Sequence, residues 1–108
     1  MIPPAVEVPE RFNAAAFFVD HHLAEGRGDR AVFHYRGRRI TYAELGERVN
    51  RFGNALRDLG VEVEQRVLLI LPDCPEFAEA FWGAIKIGAV PVPVNPWLKG
   101  ADYAFLLE

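Results

Sequence analysis

Apolar positions along this chain change their period repeatedly, and each change marks an element. The start is broken by Pro3, Pro4 and Pro9, so residues 1–11 read as an extended arm. A periodic stretch opens at Asn13. Asn is a favoured helix N-cap, and Phe12 with Phe17 has the spacing of a hydrophobic staple. The pattern predicts a helix from Asn13 to about Glu25, ended by Gly26, with Phe17, Phe18, Val19 and Leu23 inward. Ala31-Val32-Phe33-His34-Tyr35 reads as a strand, Arg36-Gly37-Arg38 as a turn, and Arg39-Ile40 as the return of a short hairpin.

Thr41-Tyr42-Ala43-Glu44 is a capping-box pattern, and Ile40 with Leu45 forms a second staple. Tyr42, Leu45, Val49, Phe52, Leu56 and Leu59 then recur every three or four residues, the stripe of an amphipathic helix closed by Gly60. Glu44–Arg48 and Glu47–Arg51 are spaced for ion pairs on its wet face. After a polar turn from Val61 to Gln65, Val67-Leu68-Leu69-Ile70-Leu71 is continuously apolar, as in a strand covered on both faces.

Pro75 suits the first turn of the next helix. Cys74 is a poor cap, so Asp73 is expected to take that role. The helix from Pro75 to Ile87 is apolar almost all round, and Gly88 ends it. Val90-Pro91-Val92-Pro93-Val94 is extended. Strand, helix and strand make a parallel βαβ unit with a right-handed crossover. Pro91 and Pro93 remove two donors from one side, so pairing is expected through Val90, Val92 and Val94. Asn95 to Gly100 is a loop, followed by a short helix from about Ala101 to Leu107. That helix stops at Glu108 without a Gly or Asn cap, the pattern expected of an element cut short.

The 108 residues suit one domain, and residues 12–108 read as one incomplete α/β region. A formal net charge of −3 argues against nucleic acid or an anionic membrane as partner. Cys74 is the only cysteine, which excludes an internal disulfide and fits a cytoplasmic setting. No apolar run reaches membrane-spanning length, and Met1 to Ala5 lacks the pattern of a secretory signal. His21 and His22 read as solvated, with no metal site. Arg27-Gly28-Asp29 would suggest integrin binding in a secreted protein and here reads as a turn. The arginines of the hairpin suit either a phosphate or a charged strand edge that discourages pairing.

Gly83-Ala84-Ile85-Lys86-Ile87-Gly88-Ala89-Val90-Pro91-Val92-Pro93-Val94-Asn95 resembles a motif of the adenylate-forming, AMP-dependent superfamily of acyl-CoA and aryl-CoA synthetases. Thr41-Tyr42-Ala43-Glu44-Leu45 resembles a second family motif. Phe12-Asn13-Ala14-Ala15, His22 to Asp29, Glu47 to Leu56 and Ala101 to Ala104 resemble the benzoate-CoA ligase type. Pro96-Trp97-Leu98-Lys99-Gly100 departs from that type, so aryl and other acyl substrates both stay open.

The resemblance implies the N-terminal portion of a large ligase domain. Such enzymes join a carboxylate to ATP with Mg²⁺ and pass the acyl group to coenzyme A. Their hydroxyl-rich phosphate loop and other catalytic motifs do not occur in this sequence. No catalytic residue is therefore assigned, no cofactor is expected on this chain alone, and the chain alone is expected to be inactive. Trp97 and Lys99 lie beyond a parallel strand's C-terminal end, where ligands of open α/β sheets gather. Trp97 is a candidate to stack on a ring and Lys99 to meet a phosphate. The alternative is a Trp97 packed on the sheet edge and a solvated Lys99. A stand-alone, non-catalytic module that binds a protein partner or complements a truncated ligase is the rival reading. Incomplete cover of the strand and the apolar helix leads us to expect self-association.

Overall fold

The computed structural model describes residues 8–108; the first seven residues of the expected arm lie outside them, and residues 8–11 are exposed and irregular. Asn13 caps the first helix as expected. Its Oδ1 accepts from the N–H groups of Ala15 (3.0 Å) and Ala16 (3.2 Å), and the Phe12 and Phe17 rings sit 5.5 Å apart. This helix is not uniform. A π-helical segment, Ala16–Asp20, runs into a short α-helix, α1 (His21–Ala24). The wider turn changes which side chains face inward. Ala15 and Val19 are buried, whereas Phe18, expected inside, is 45% exposed and leans on Trp82.

The hairpin comprises β1 (Ala31–Tyr35) and β2 (Arg38–Thr41), paired antiparallel with an irregularity between Ala31 and Phe33. Its turn is two residues, not three. Arg36 (φ 48°) and Gly37 (φ 76°) both have positive φ, the signature of the tight turn that matches strand twist, and Arg38 pairs with Tyr35. The arginines are spoken for locally. Arg36 lies over the Tyr35 ring, Arg38 pairs with Glu44 at 2.9 Å, and Arg39 donates to the Asp29 carbonyl at 2.5 Å.

Helix α2 (Tyr42–Asp58) begins at its expected cap: Thr41 Oγ1 accepts from the Glu44 N–H at 3.2 Å. Burial pushes the Glu44 carboxyl up, but the Arg38 hydrogen bond and Thr41 outweigh it and hold its pKa below the ordinary value. Arg38 also replaces the expected Glu44–Arg48 pair. Arg48 reaches Glu79 instead, at 3.4 Å, and Glu79 is the one buried charged residue among those described. The Glu47–Arg51 pair forms at 2.6 Å. The stripe ends early: Leu45, Val49 and Leu56 are buried, but Leu59 is 81% exposed, because α2 has left the core by its last turn.

Two parallel strands follow, β3 (Arg66–Leu69) and β4 (Val90–Pro93), joined by helix α3 (Pro75–Lys86). β3 is shorter than its apolar run; Ile70 and Leu71 lie past its end. Pairing runs through the predicted side, with the Val90 N–H on Gln65 C=O (2.8 Å) and the Val94 N–H on Leu69 C=O (3.1 Å). β3 is not covered on both faces. Val67 packs towards Leu56, Ala84 and Ala89, while Ile70 and Val90 are exposed.

The core is the crossing of α2 and α3. A Cβ on Gly83 would lie 3.1 Å from the Val49 carbonyl oxygen and 3.2 Å from the Gly53 nitrogen, so any side chain there would press the two backbones apart by a few tenths of an ångström. The first helix is tied to the end of α3. Asn13 Nδ2 donates to the carbonyls of Ile85 (2.8 Å) and Lys86 (3.3 Å), and Lys86 Nζ meets Asp20 at 2.8 Å and also Asn50. One asparagine thus caps the start of one helix with its oxygen and the end of another with its nitrogen.

Candidate functional site

Parallel pairing puts the ends of β3 and β4 side by side, since Leu69 is in register with Pro93. The chain after each strand therefore leaves from one end of the ribbon, the position where open α/β sheets collect ligands. After β3, residues 70–74 lead to the first turn of α3. Cys74 stands at the N-cap without a side-chain bond, and Asp73 does not take its place; the Phe77 N–H bonds the Cys74 carbonyl at 3.0 Å. A thiol is a weak acceptor, and Pro75 removes one donor that needs satisfying. Beside this turn lies a cavity of about 310 Å³, walled by Phe33, His34 and Tyr35 of β1 and by Cys74, Phe77 and Ala78. His34 and Cys74 meet there only through the fold, and sequence reading did not join them.

After β4, the loop is built by short polar bonds. Asn95 Oδ1 accepts from the Trp97 N–H at 2.9 Å. Tyr103, on the last helix α4 (Gly100–Leu107), donates its hydroxyl proton to the Asn95 carbonyl at 2.8 Å and accepts from the Leu98 N–H at 3.1 Å. Asp102 accepts from the Lys99 N–H at 3.2 Å, and so closes the start of α4 one residue earlier than expected. Tyr103 is the residue that sequence reading passed over; its only signal was a tyrosine shortly after an Asn-Pro turn. The loop holds Trp97 out at 85% exposure, not packed on the sheet edge. Lys99 is exposed beside it.

His21 is exposed as expected, whereas His22 departs from expectation. His22 is half-buried, stacked on Tyr42 at 4.3 Å, and its Nδ1 accepts from Arg27 Nε at 3.0 Å. Burial lowers its pKa, and Arg27, His21 and Arg30 lower it further. The Arg-Gly-Asp stretch is a turn pinned to α2: Gly28 C=O accepts from Ala43 (2.8 Å) and Arg30 C=O from Tyr42 (3.0 Å). Among the described residues, no group of three or more His, Cys, Asp or Glu is placed to hold a metal ion, and no helix is long and apolar enough to cross a membrane.

The model of the family described as AMP-binding enzyme matches residues 20–108. The chain belongs to the AMP-binding enzyme family. Within that family it is 43% identical over 97% of its length to the benzoate–CoA ligase of Thauera aromatica, of which it spans 20%. It is 46% identical over 90% of its length to a 4-hydroxybenzoate–CoA/benzoate–CoA ligase of Rhodopseudomonas palustris, of which it spans 18%. Its backbone superposes on a benzoate CoA ligase from Burkholderia xenovorans LB400 with a TM-score of 0.83 at 40% identity, covering 90% of this chain and 19% of that one. The chain thus spans about a fifth of the length of the curated relatives it matches. The expected α/β class, with a hairpin, an amphipathic helix and a parallel βαβ unit, is the fold that these AMP-binding enzymes share with it.

Proposed function

We propose that this chain is the N-terminal scaffold of an AMP-forming ligase that activates a carboxylic acid with ATP and passes the acyl group to coenzyme A. The observation that carries the proposal is the agreement with benzoate–CoA ligases, in sequence and backbone, along nearly the whole chain. A benzoate-like acid is the substrate class this supports. In the working enzyme, Mg²⁺ offsets phosphate charge and coenzyme A takes the acyl group. The residues here do not fit those groups: the sequence holds no hydroxyl-rich loop ending in lysine, and the described residues hold no metal cluster. No chemical step is assigned to this chain.

Its part is positional. The close α2–α3 crossing fixes the ribbon, and the Tyr103 bonds fix the loop that carries Trp97 and Lys99. We assign that loop to the edge of the path taken by the acyl substrate or coenzyme A. The division into an arm (1–11) and a scaffold (12–108), a cytoplasmic setting, and partners limited to carboxylate, ATP and coenzyme A belong to the same reading. Alone, the chain leaves Trp97, Phe105 and Leu107 exposed, together with one face of the ribbon, and it self-associates.

A graft tests the scaffold role. Residues 12–108 replace the matching stretch of the Thauera aromatica ligase, and benzoate-dependent exchange of labelled pyrophosphate into ATP is measured. The graft is expected to retain exchange, and the 108-residue chain alone to give none above the blank. A folded graft without exchange, or exchange by the chain alone, overturns the proposal. In the graft, Trp97→Ala and Lys99→Ala are expected to raise KM for benzoate or coenzyme A; unchanged KM for both removes the loop from the path.

A further inference from the structure

His22 and Arg27 meet because of the way α1 ends. Gly26 takes a positive φ of 79°, its N–H bonds the Leu23 carbonyl at 3.1 Å, and the Arg27 N–H reaches back to the His22 carbonyl at 2.8 Å. This is the Schellman closure, which sets the residue after the glycine against one in the last helical turn and commonly joins the two by an apolar contact. Here the pair is polar. Arg27 Nε donates to His22 Nδ1 at 3.0 Å. A guanidinium only donates, so this bond needs an unprotonated Nδ1. The turn that Arg27 opens serves α2 in its place. The carbonyls of Arg30 and Gly28 take the N–H groups of Tyr42 and Ala43, the first two amides of that helix, and Thr41 takes the next. A Cβ on Gly28 would lie 3.3 Å from Leu23 and 3.5 Å from Ala43, so the turn sits close between α1 and α2.

We propose that His22 is an acid-sensitive latch: a proton on its Nδ1 releases Arg27 and loosens the turn 27–30 that caps α2. Every contact involved lies within the chain, so the latch stands apart from the ligase chemistry. Protonation turns the acceptor into an N–H that faces another N–H, with two positive charges in place of one. The ring is not the part that moves. It stacks on Tyr42 at 4.3 Å, and an imidazolium is held on an aromatic face by its charge as well. Arg27 is half-buried and gains water by swinging out. Burial favours the neutral ring, and the cations Arg27, His21 and Arg30 favour it further. The carboxylates of the neighbouring elements are engaged elsewhere: Asp20 with Lys86, Glu25 with His21 and Glu44 with Arg38. Asp29, on the turn itself, is exposed. Val32 of β1 and Trp82 of α3, which border the same surface, carry no charge. The closed latch is therefore the resting form, and it opens as pH falls below the ordinary histidine range.

Nuclear magnetic resonance of the 108-residue chain, at one fixed concentration between about pH 8 and pH 5, tests this. The ring protons of His22 report its titration, and amide exchange, corrected for intrinsic rates, reports the turn. Protection of the Tyr42 and Ala43 amides is expected to fall about tenfold, the worth of a hydrogen bond to a charged group, with the midpoint of His22. The Val49 amide inside α2 is expected to hold. Arg27→Leu gives the closure its apolar form and removes the donor; the His22 midpoint is expected to rise and the acid step in protection to vanish. His22→Asn puts an oxygen where Nδ1 stands and has no proton to gain, so protection is expected to persist through the whole range. Protection that does not follow His22, a midpoint unmoved in Arg27→Leu, or an acid step that survives in His22→Asn overturns the proposal. Pyrophosphate exchange by the graft is measured at neutral pH, with the latch closed, and so judges the ligase reading alone.

Discussion

Replacing Asn13 separates the two jobs its side chain performs. Asn13→Ala removes the oxygen that accepts from Ala15 and Ala16 and the nitrogen that donates to Ile85 and Lys86. Loss of an N-cap costs about 1 kcal/mol. Loss of a part-buried hydrogen bond costs about another 1 kcal/mol, and the longer contact to Lys86 adds less. The total is about 2 kcal/mol, a large share of the stability of a small domain. With a urea m-value of about 1–3 kcal/mol/M, the midpoint is expected to fall by about 1 M. Asn13→Ser keeps the cap but is too short to reach α3, so about half of that shift is expected. Asn13→Asp also keeps the cap, but its anion faces carbonyls at the negative end of the α3 dipole. At neutral pH it is expected to be less stable than the Ser variant, and to recover as acid restores a proton it can donate. The assay is urea unfolding followed by circular dichroism at one fixed protein concentration. A Ser variant as stable as the unaltered chain would show that the link to α3 contributes nothing.

Gly83→Ala forces a methyl against backbone atoms of α2; overpacking of about 1–3 kcal/mol exceeds the roughly 1 kcal/mol gained in helix propensity, so thermal unfolding should shift down, and an upward shift would refute the close crossing. Thr41→Ala removes the α2 cap and should cost about 1 kcal/mol; an unchanged denaturant midpoint would show that the cap is not formed. His22 has a pKa lowered from 6.5 in the folded chain, so the unfolded chain binds more protons as pH falls. Its contribution is complete above pH 6.5 and is lost as pH falls towards the lowered value; His22→Gln should flatten that step in a stability–pH profile, and an identical profile would exclude His22 as its source.

The elements with local causes were legible in the sequence. The Asn13 and Thr41 caps, the Pro75 start of α3 and the one-sided pairing of β4 each follow from residues within a turn of the feature. What was missed depends on residues far apart in the chain. Arg48 turned from Glu44 to Glu79 because a hairpin arginine had already engaged Glu44. Leu59 fits the stripe by period, but the crossing with α3 ends before it reaches the core. Phe18 turned outward because a π segment shifts the face, and no single residue announces such a segment. At the candidate site, the exposure of Trp97 follows from the Tyr103 latch, a contact between two side-by-side segments whose geometry periodicity does not carry. Gly83 opens the string that carried the family resemblance, yet its physical reason, backbone contact with Gly53, became visible only in three dimensions.

The two ends of the Asn13 side chain also work on different clocks. Its oxygen serves amides two and three residues on, so that half can act as soon as the first helix leaves the ribosome. Its nitrogen waits for a carbonyl 72 residues later. At synthesis rates of roughly 5–20 residues per second, that wait is about 4–14 s. Before then Val19 has Leu45 and Val49 of α2 to pack on, but the tie to α3 is still open. Arrival of Ile85 and Lys86 closes these two long-range bonds, so a segment made early is tied down only once α3 is complete.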